Sequence, residues 1–213
     1  MTSTPPEHDD PVDFWEAVYA GRDRGAEPRV NARLAEIAAD LPPGDALDLG
    51  CGPGGDALWL ARHGWRVTAV DISATATGRL TALAAGLGLA DRVRAERHDL
   101  AETFPDGRFD LVSAQYLQTP FDLPRDRVLT TAARALRPGG RLIVVDHGSV
   151  APWSWFQDRD VHFPTPQEIR DGLDLGPDGW TVERAETPRR TATGPGGQTA
   201  EVVDHVLVLR RDP

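Results

Sequence analysis

Short apolar runs alternate along this chain with stretches whose apolar residues recur at helical spacing. The runs lie near 45–49, 66–70, 92–98, 108–114 and 141–147, and each predicts a strand. Between and after them, 54–63, 73–87 and 125–136 predict helices. Strands alternating with helices imply a mainly parallel sheet joined by right-handed crossovers. Leu142-Ile143-Val144-Val145 lacks polar alternation, as expected of a strand covered on both faces.

The flanks have other patterns. Residues 11–20 put Phe14 with Val18, and Trp15 with Tyr19, on shared faces of a short helix. A Gly/Arg/Glu/Pro loop spans 21–28. A second helix is predicted over 28–41 from Val30, Leu34, Ile37 and Leu41, and Pro42-Pro43-Gly44 stops it. Residues 149–165 carry Trp153, Trp155, Phe156, His162 and Phe163 without a period. A short helix follows over 166–174, with Thr165 as N-cap. Two long runs, 179–190 and 200–210, flank a Gly-rich turn segment and predict a hairpin.

Composition narrows the choices. At 213 residues and 40% hydrophobic content, the chain suits one domain, 1–213, with a sizeable core. Its polar first ten residues are expected to be a disordered tail. The net charge of −10 argues against nucleic acid and against an anionic membrane as partners. All 23 basic residues are Arg, which excludes a Schiff-base Lys, a P-loop Lys and a Tyr-x-x-x-Lys pair. The single cysteine, Cys51, excludes an internal disulfide and a Cys-clustered metal site. No apolar run has the length of a membrane span, and Met1–Asp10 lacks the features of a secretion signal. A cytoplasmic location is therefore expected.

The chemistry centres on Ala46-Leu-Asp48-Leu-Gly50-Cys51-Gly52-Pro-Gly54-Gly55, where a strand ends in closely spaced glycines and a helix follows. Gly50 and Gly52 allow a sharp turn and close approach of a ligand. The next strand ends in Asp71, placed to accept hydrogen bonds from ribose hydroxyls. Gly50, Gly52 and Gly55 also fit the dinucleotide fingerprint. A dinucleotide, however, sets its pyrophosphate on the helix N-terminus, and Asp48 would repel it. S-adenosylmethionine (SAM) carries a sulfonium and an ammonium and no phosphate, so Asp48 favours SAM.

Asp48-x-Gly50-x-Gly52-x-Gly54, Val70-Asp71-Ile72-Ser73, Asp99-Leu100, Phe109-Asp110-Leu-Val112 and Leu136-Arg-Pro-Gly-Gly140-Arg-Leu-Ile-Val-Val145 together resemble the ordered motifs of class I SAM-dependent methyltransferases. The resemblance covers residues 44–148. The wider layout, with Trp15-x-x-x-Tyr19, resembles the small-molecule branch of thiopurine and tellurite-resistance methyltransferase-like proteins. It implies an α/β fold, a Rossmann-like three-layer sandwich. Its seven-stranded, mostly parallel sheet would carry a C-terminal antiparallel hairpin and an N-terminal helical cap. The cap would span 11–43, the SAM-binding core 44–148, and the aromatic segment with the hairpin 149–213.

The resemblance also implies site roles. Asp48, Gly50, Cys51, Gly52 and Gly54 would surround the methionine portion of SAM. Asp71 would take the ribose hydroxyls, Ile72 would cover the adenine, and Asp99 would accept from the adenine amino group beside Leu100. His98 is an alternative polar contact. Tyr19 would close over the donor, and Gln115, after the fourth strand, would lie on the pocket floor. Similar sequences carry a Trp in the loop between Tyr19 and Asn31, where this chain has Gly-Ala-Glu-Pro.

Methyl transfer from a sulfonium is an in-line displacement that needs alignment more than a base. His147, at the end of the fifth strand, is the candidate general base. Tyr116, His147, Trp153, Trp155 and His162 are the candidate acceptor-binding residues. Clustered metal ligands are missing from the sequence pattern, so no metal is expected. The expected partner is a small-molecule acceptor, and the chain is expected to act as a monomer or homodimer. A non-catalytic SAM-binding protein and an NAD-binding oxidoreductase remain as alternatives.

Overall fold

A computed structural model describes residues 8–21, 27–154, 162–194 and 196–213. The start of the predicted tail, 1–7, lies outside the described residues, as do Trp155 and Phe156. The described end of that tail leads into α1 (Pro11–Ala20), capped by Asp10, whose Oδ1 accepts from the amides of Val12 at 2.8 Å and Asp13 at 3.0 Å. The second helix, α2 (Ala32–Ala38), is shorter than its apolar pattern predicts.

The core follows the predicted alternation: β1 (Asp45–Leu49), α3 (Gly55–Arg62), β2 (Arg66–Asp71), α4 (Ala74–Gly86), β3 (Val93–Arg97), β4 (Phe109–Gln115), α5 (Arg125–Arg134) and β5 (Leu136–His147). Then come α6 (Pro166–Gly172), β6 (Trp180–Glu186), β7 (Arg189–Thr193) and β8 (Thr199–Arg211). Strand order is β3-β2-β1-β4-β5-β8-β6, with β7 also paired to β8. The pairs among β1 to β5 are parallel; those of β8 with β5, β6 and β7 are antiparallel. Strand order reverses between β1 and β4, which opens a crevice at their carboxyl ends.

The sheet has eight strands, not the seven expected. The run 179–190 divides at Thr187-Pro188, because proline has no amide for the ladder. Both pieces still pair with one long β8: Glu186 stands opposite Val206, and Arg189 opposite Val203.

The unbroken apolar run in β5 is explained by burial on both sides. Ile143 and Val145 pack with Leu34, Leu58, Leu60, Trp65 and Leu80 under α2, α3 and α4. Leu142 and Val144 pack with Val128, Leu129 and Ile169 under α5 and α6. Two helical layers therefore enclose one sheet. Each fully buried Leu contributes roughly 1.5–3 kcal/mol. The helix α1 lies over the crevice. Glu16 on α1 accepts hydrogen bonds from the amides of Ala74 and Thr75 at the start of α4. On its other side, Phe14 meets Phe121 edge to face, with centroids 5.3 Å apart.

Candidate functional site

The loop from β1 to α3 carries Gly50, Gly52 and Gly54 at positive φ. At Gly52, with φ +50°, an added Cβ would lie 2.9 Å from the Tyr19 hydroxyl. At Gly50, with φ +68°, it would lie 2.8 Å from Leu117 Cδ1. Both positions therefore need glycine for the turn and for the close approach of α1 and of the segment after β4. Cys51 fills the turn, its amide donating to the Val70 carbonyl at 2.8 Å. Burial, and after it Asp48 and Asp71, push the Cys51 thiol up, so it stays protonated.

Three buried acids ring this loop. Asp48 on β1 is 2% exposed, and its Oδ2 has no hydrogen-bond partner among the described residues. Burial first, then repulsion from Asp56 and Asp71, pushes its pKa well above the usual carboxylate range. Asp56, in the first turn of α3, accepts from the Asn31 amide at 2.7 Å and from Asn31 Nδ2 at 2.6 Å. Its burial raises the pKa more than those two bonds lower it. Asp71 accepts from the amides of Gly52 and Ser73, each at 2.9 Å, and so ties the glycine loop to the end of β2.

A cavity opens at the carboxyl ends of β1, β2 and β4. Of the predicted residues, Tyr19, Gly50, Asp71, Ile72, His98, Asp99, Leu100 and Tyr116 line it. Asp48 on β1, and Cys51, Gly52 and Gly54 of the loop that follows it, are not part of this lining. His98 is held between Thr103 Oγ1 at 3.0 Å and Glu96 Oε2 at 3.2 Å. Asp99 Oδ1 accepts from the Ala101 amide at 2.9 Å. Gln115 is buried beneath: its Nε2 donates to Ser113 Oγ at 3.1 Å, and its Oε1 has no partner among the described residues.

The remaining predicted residues lie elsewhere. His147 stacks on Tyr116, centroids 4.3 Å apart and planes at 24°, with its outer edge open to solvent. Desolvation of the stacked face is the main cause of its lowered pKa, so the ring is neutral at pH 7. Asp146 faces the opposite side of β5 and does not orient it. Trp153 packs on Gly194, where an added Cβ would come within 2.6 Å of Trp153 Cδ2. His162 is exposed, 3.2 Å from Glu168 at the start of α6. Neither Trp153 nor His162 lines the cavity.

Residues the sequence reading left out complete the mouth. Trp15 and the segment 117–119 and 121–123 line it. Trp15 stacks on Tyr19 at 5.9 Å, and its indole N–H donates to Thr119 Oγ1 at 3.4 Å. The i, i+4 aromatic pairs of α1 were the available signal. Behind Tyr116 lies Asp204 on β8, fully buried. It accepts from the Tyr116 hydroxyl at 3.1 Å, Arg190 Nε at 2.8 Å and Arg33 Nε at 3.4 Å. Burial, then Asp204, pushes the Tyr116 phenol up to about 12. Among the described residues, no group of three His, Cys, Asp or Glu side chains could hold a metal ion.

An unpartnered buried carboxylate oxygen and three acids about one glycine loop fit a ligand that is cationic there. They oppose a pyrophosphate. Residues 46–140 match the family model described as a methyltransferase domain. The chain carries a methyltransferase domain of the class I SAM-dependent superfamily.

Its relatives differ in what they methylate. The chain is 31% identical to 2-heptyl-1-hydroxyquinolin-4(1H)-one methyltransferase of Mycobacteroides abscessus, over 73% of this chain and 66% of that one. It is 35% identical to ribosomal RNA small subunit methyltransferase C of Alcanivorax borkumensis, over 59% of this chain and 39% of that one. The chain thus spans less than two thirds of either relative's length. A solved structure from work on the conversion of a disulfide bond into a thioacetal group during echinomycin biosynthesis is 29% identical. It aligns with a TM-score of 0.71 over 94% of this chain and 91% of that one.

Proposed function

We propose that the protein is a SAM-dependent methyltransferase acting on a small, partly apolar acceptor. The observation that carries this reading is the buried, unpartnered Oδ2 of Asp48 behind Gly50 and Gly52. An oxygen in that place suits the positive charges of SAM. An NAD-binding site would set phosphate against the same acids.

SAM brings a methyl group already activated on a sulfonium, so the protein's work is alignment and exclusion of water. In our reading Asp71, at the end of β2, takes the ribose hydroxyls. Ile72 and Leu100 flank the adenine, Asp99 accepts from its amino group, and His98 borders it. Tyr19 and Trp15 close the cavity from α1, as in the thiopurine and tellurite-resistance branch the sequence resembles. Gln115 offers Oε1 from the floor. Tyr116, Leu117 and Phe121 make the acceptor side, whose apolar and aromatic lining supports a small, partly apolar molecule over a polyanion. The net charge of −10 supports the same choice against RNA. His147, neutral and partly exposed beside Tyr116, is the base for acceptors that hold a proton.

Calorimetric titration with S-adenosylhomocysteine, with NAD in parallel, tests the reading. Micromolar binding of the former that is lost in Asp71→Ala is the expected result. Binding of NAD alone, or of neither, sinks it.

A further inference from the structure

Asp146 is a fully buried acid that the proposed chemistry does not use. It is the last but one residue of β5, on the side of the sheet covered by α5 and α6, away from Asp48 and Asp71. Its Oδ2 accepts from Arg125 Nη2 at 2.5 Å. Its Oδ1 is buried without a partner among the described residues. The guanidinium of Arg125 has a second task. Its Nε donates to the backbone carbonyl of Leu117 at 3.1 Å.

Leu117 is where the chain leaves β4 to build the cavity wall. Its side chain lies against Gly50 of the donor loop. The wall then runs through Gln118, Thr119, Phe121, Asp122 and Leu123 to Arg125, the first residue of α5. Pro124 caps α5 without a side-chain hydrogen bond. The wall is therefore fixed at its start by the Leu117 carbonyl and at its end by Arg125 itself. One guanidinium joins both ends to a fully buried carboxylate on β5. On the opposite face of the sheet, Asp204 holds the Tyr116 side chain.

We propose that Asp146 and Arg125 are positioning residues that clamp the wall 117–123 against the donor loop, acting through the Leu117 carbonyl. The inference rests on the cavity being the donor and acceptor pocket. A planar guanidinium is needed, because it reaches a carboxylate and a carbonyl at once from a fixed fork; an ammonium on a flexible stem does not. A buried acid that keeps one oxygen unpaired costs stability. Its use in holding the wall accounts for its presence there.

The test compares wild type, Asp146→Asn, Arg125→Met and Arg125→Lys by hydrogen exchange of peptides covering 117–123 and by S-adenosylhomocysteine titration. Arg125→Lys is the deciding variant, since it leaves Asp146 a cationic partner while removing the second donor. We expect a folded protein in which 117–123 exchanges about tenfold faster or more and S-adenosylhomocysteine binds about tenfold more weakly. Exchange at the wild-type rate overturns the proposal, as does faster exchange with wild-type affinity. In either case the pair would be a staple of the core. Failure of the wild-type protein to bind S-adenosylhomocysteine would instead remove the donor reading, and the exchange comparison would decide the clamp by itself.

Discussion

The Tyr116 phenol donates to Asp204, 3.1 Å away, and so ties the end of β4 to β8 across the intervening β5. Asp204 sits at the break between β6 and β7, and its amide donates to the Pro188 carbonyl at 3.0 Å. The proline that divides the last strands thus also fixes the acid that holds a cavity residue. Tyr116 needs holding: at φ +53° it is the one described non-glycine residue with positive φ. Removing the phenol by Tyr116→Phe takes one bond from an acid that keeps two arginines, and should cost about 1 kcal/mol. Asp204→Ala leaves Arg190 without its buried partner and should cost about 3–5 kcal/mol. Urea unfolding of both variants checks the ranking. Equal losses would mean that Asp204 holds nothing beyond the phenol.

Asp48 sets function against stability. An acid whose pKa is raised in the fold binds more protons folded than unfolded. Stability should therefore fall as pH rises from about 3.8 through the raised value, and the buried acid is a cost at pH 7. Asp48→Asn removes that cost while keeping the shape. The ligand-free variant should gain about 0.5–2 kcal/mol at pH 7 and lose its stability advantage at pH 3. The same variant should bind SAM at least about tenfold more weakly. Thermal melts at the two pH values, with and without SAM, measure both. A variant that is both less stable and unimpaired in binding would contradict the role given to Asp48.

Glu16 should make the seating of α1 sensitive to acid. Burial alone would raise its pKa, but hydrogen bonds from Thr75 and Ala74 outweigh burial and hold it below 4.5. An acid of lowered pKa contributes stability that is present above 4.5 and lost as pH falls through the folded value. The carboxylate is partly exposed, so the contribution is about 0.3–1 kcal/mol, in the range of a charge at a helix N-terminus. Glu16→Gln should bind S-adenosylhomocysteine a few-fold more weakly at pH 7 and lose the acid-side dependence of binding. An unchanged dependence in the variant would assign it to another group.

The glycine loop and the acids about it were legible in the sequence because their demands are local. Glycines at positive φ, an acid two residues ahead of them on β1 and an acid ending the next strand must follow one another along the chain. The same holds for Asp99, whose turn closes within its own segment at Ala101. On the other side of the cavity Tyr116 was named, but what holds it was not legible, because that is made by distant pairings. Arg33 and Asp204 are 171 positions apart, and Tyr116 and Asp204 are 88 apart. No periodicity joins them. The aromatic run after β5 drew attention through its composition. Yet Trp153 packs on the terminal hairpin at Gly194, and the aromatic side of the mouth comes from Trp15 and Phe121. Pro188 was visible all along inside the predicted strand 179–190. Its missing amide was sufficient reason to expect two strands there.

Gly52 gives the sharpest test of how the cap and the donor loop fit together. Its amide donates to Asp71 at 2.9 Å, and its Cα hydrogens face the Tyr19 hydroxyl. Gly52→Ala puts a methyl group 2.9 Å from that hydroxyl and strains a residue at φ +50°. The left-handed conformation alone costs about 1–2 kcal/mol for a non-glycine residue. Tyr19 can yield only by lifting α1, because the ring is buried and stacked on Trp15. The double variant Gly52→Ala, Tyr19→Phe takes away the clashing hydroxyl and keeps the backbone strain. Donor affinity should therefore fall about tenfold or more in Gly52→Ala and recover part of the loss in the double variant. Titration with S-adenosylhomocysteine reads both steps. No recovery would mean that the backbone of the loop, and not the seat of Tyr19 upon it, governs binding at this glycine.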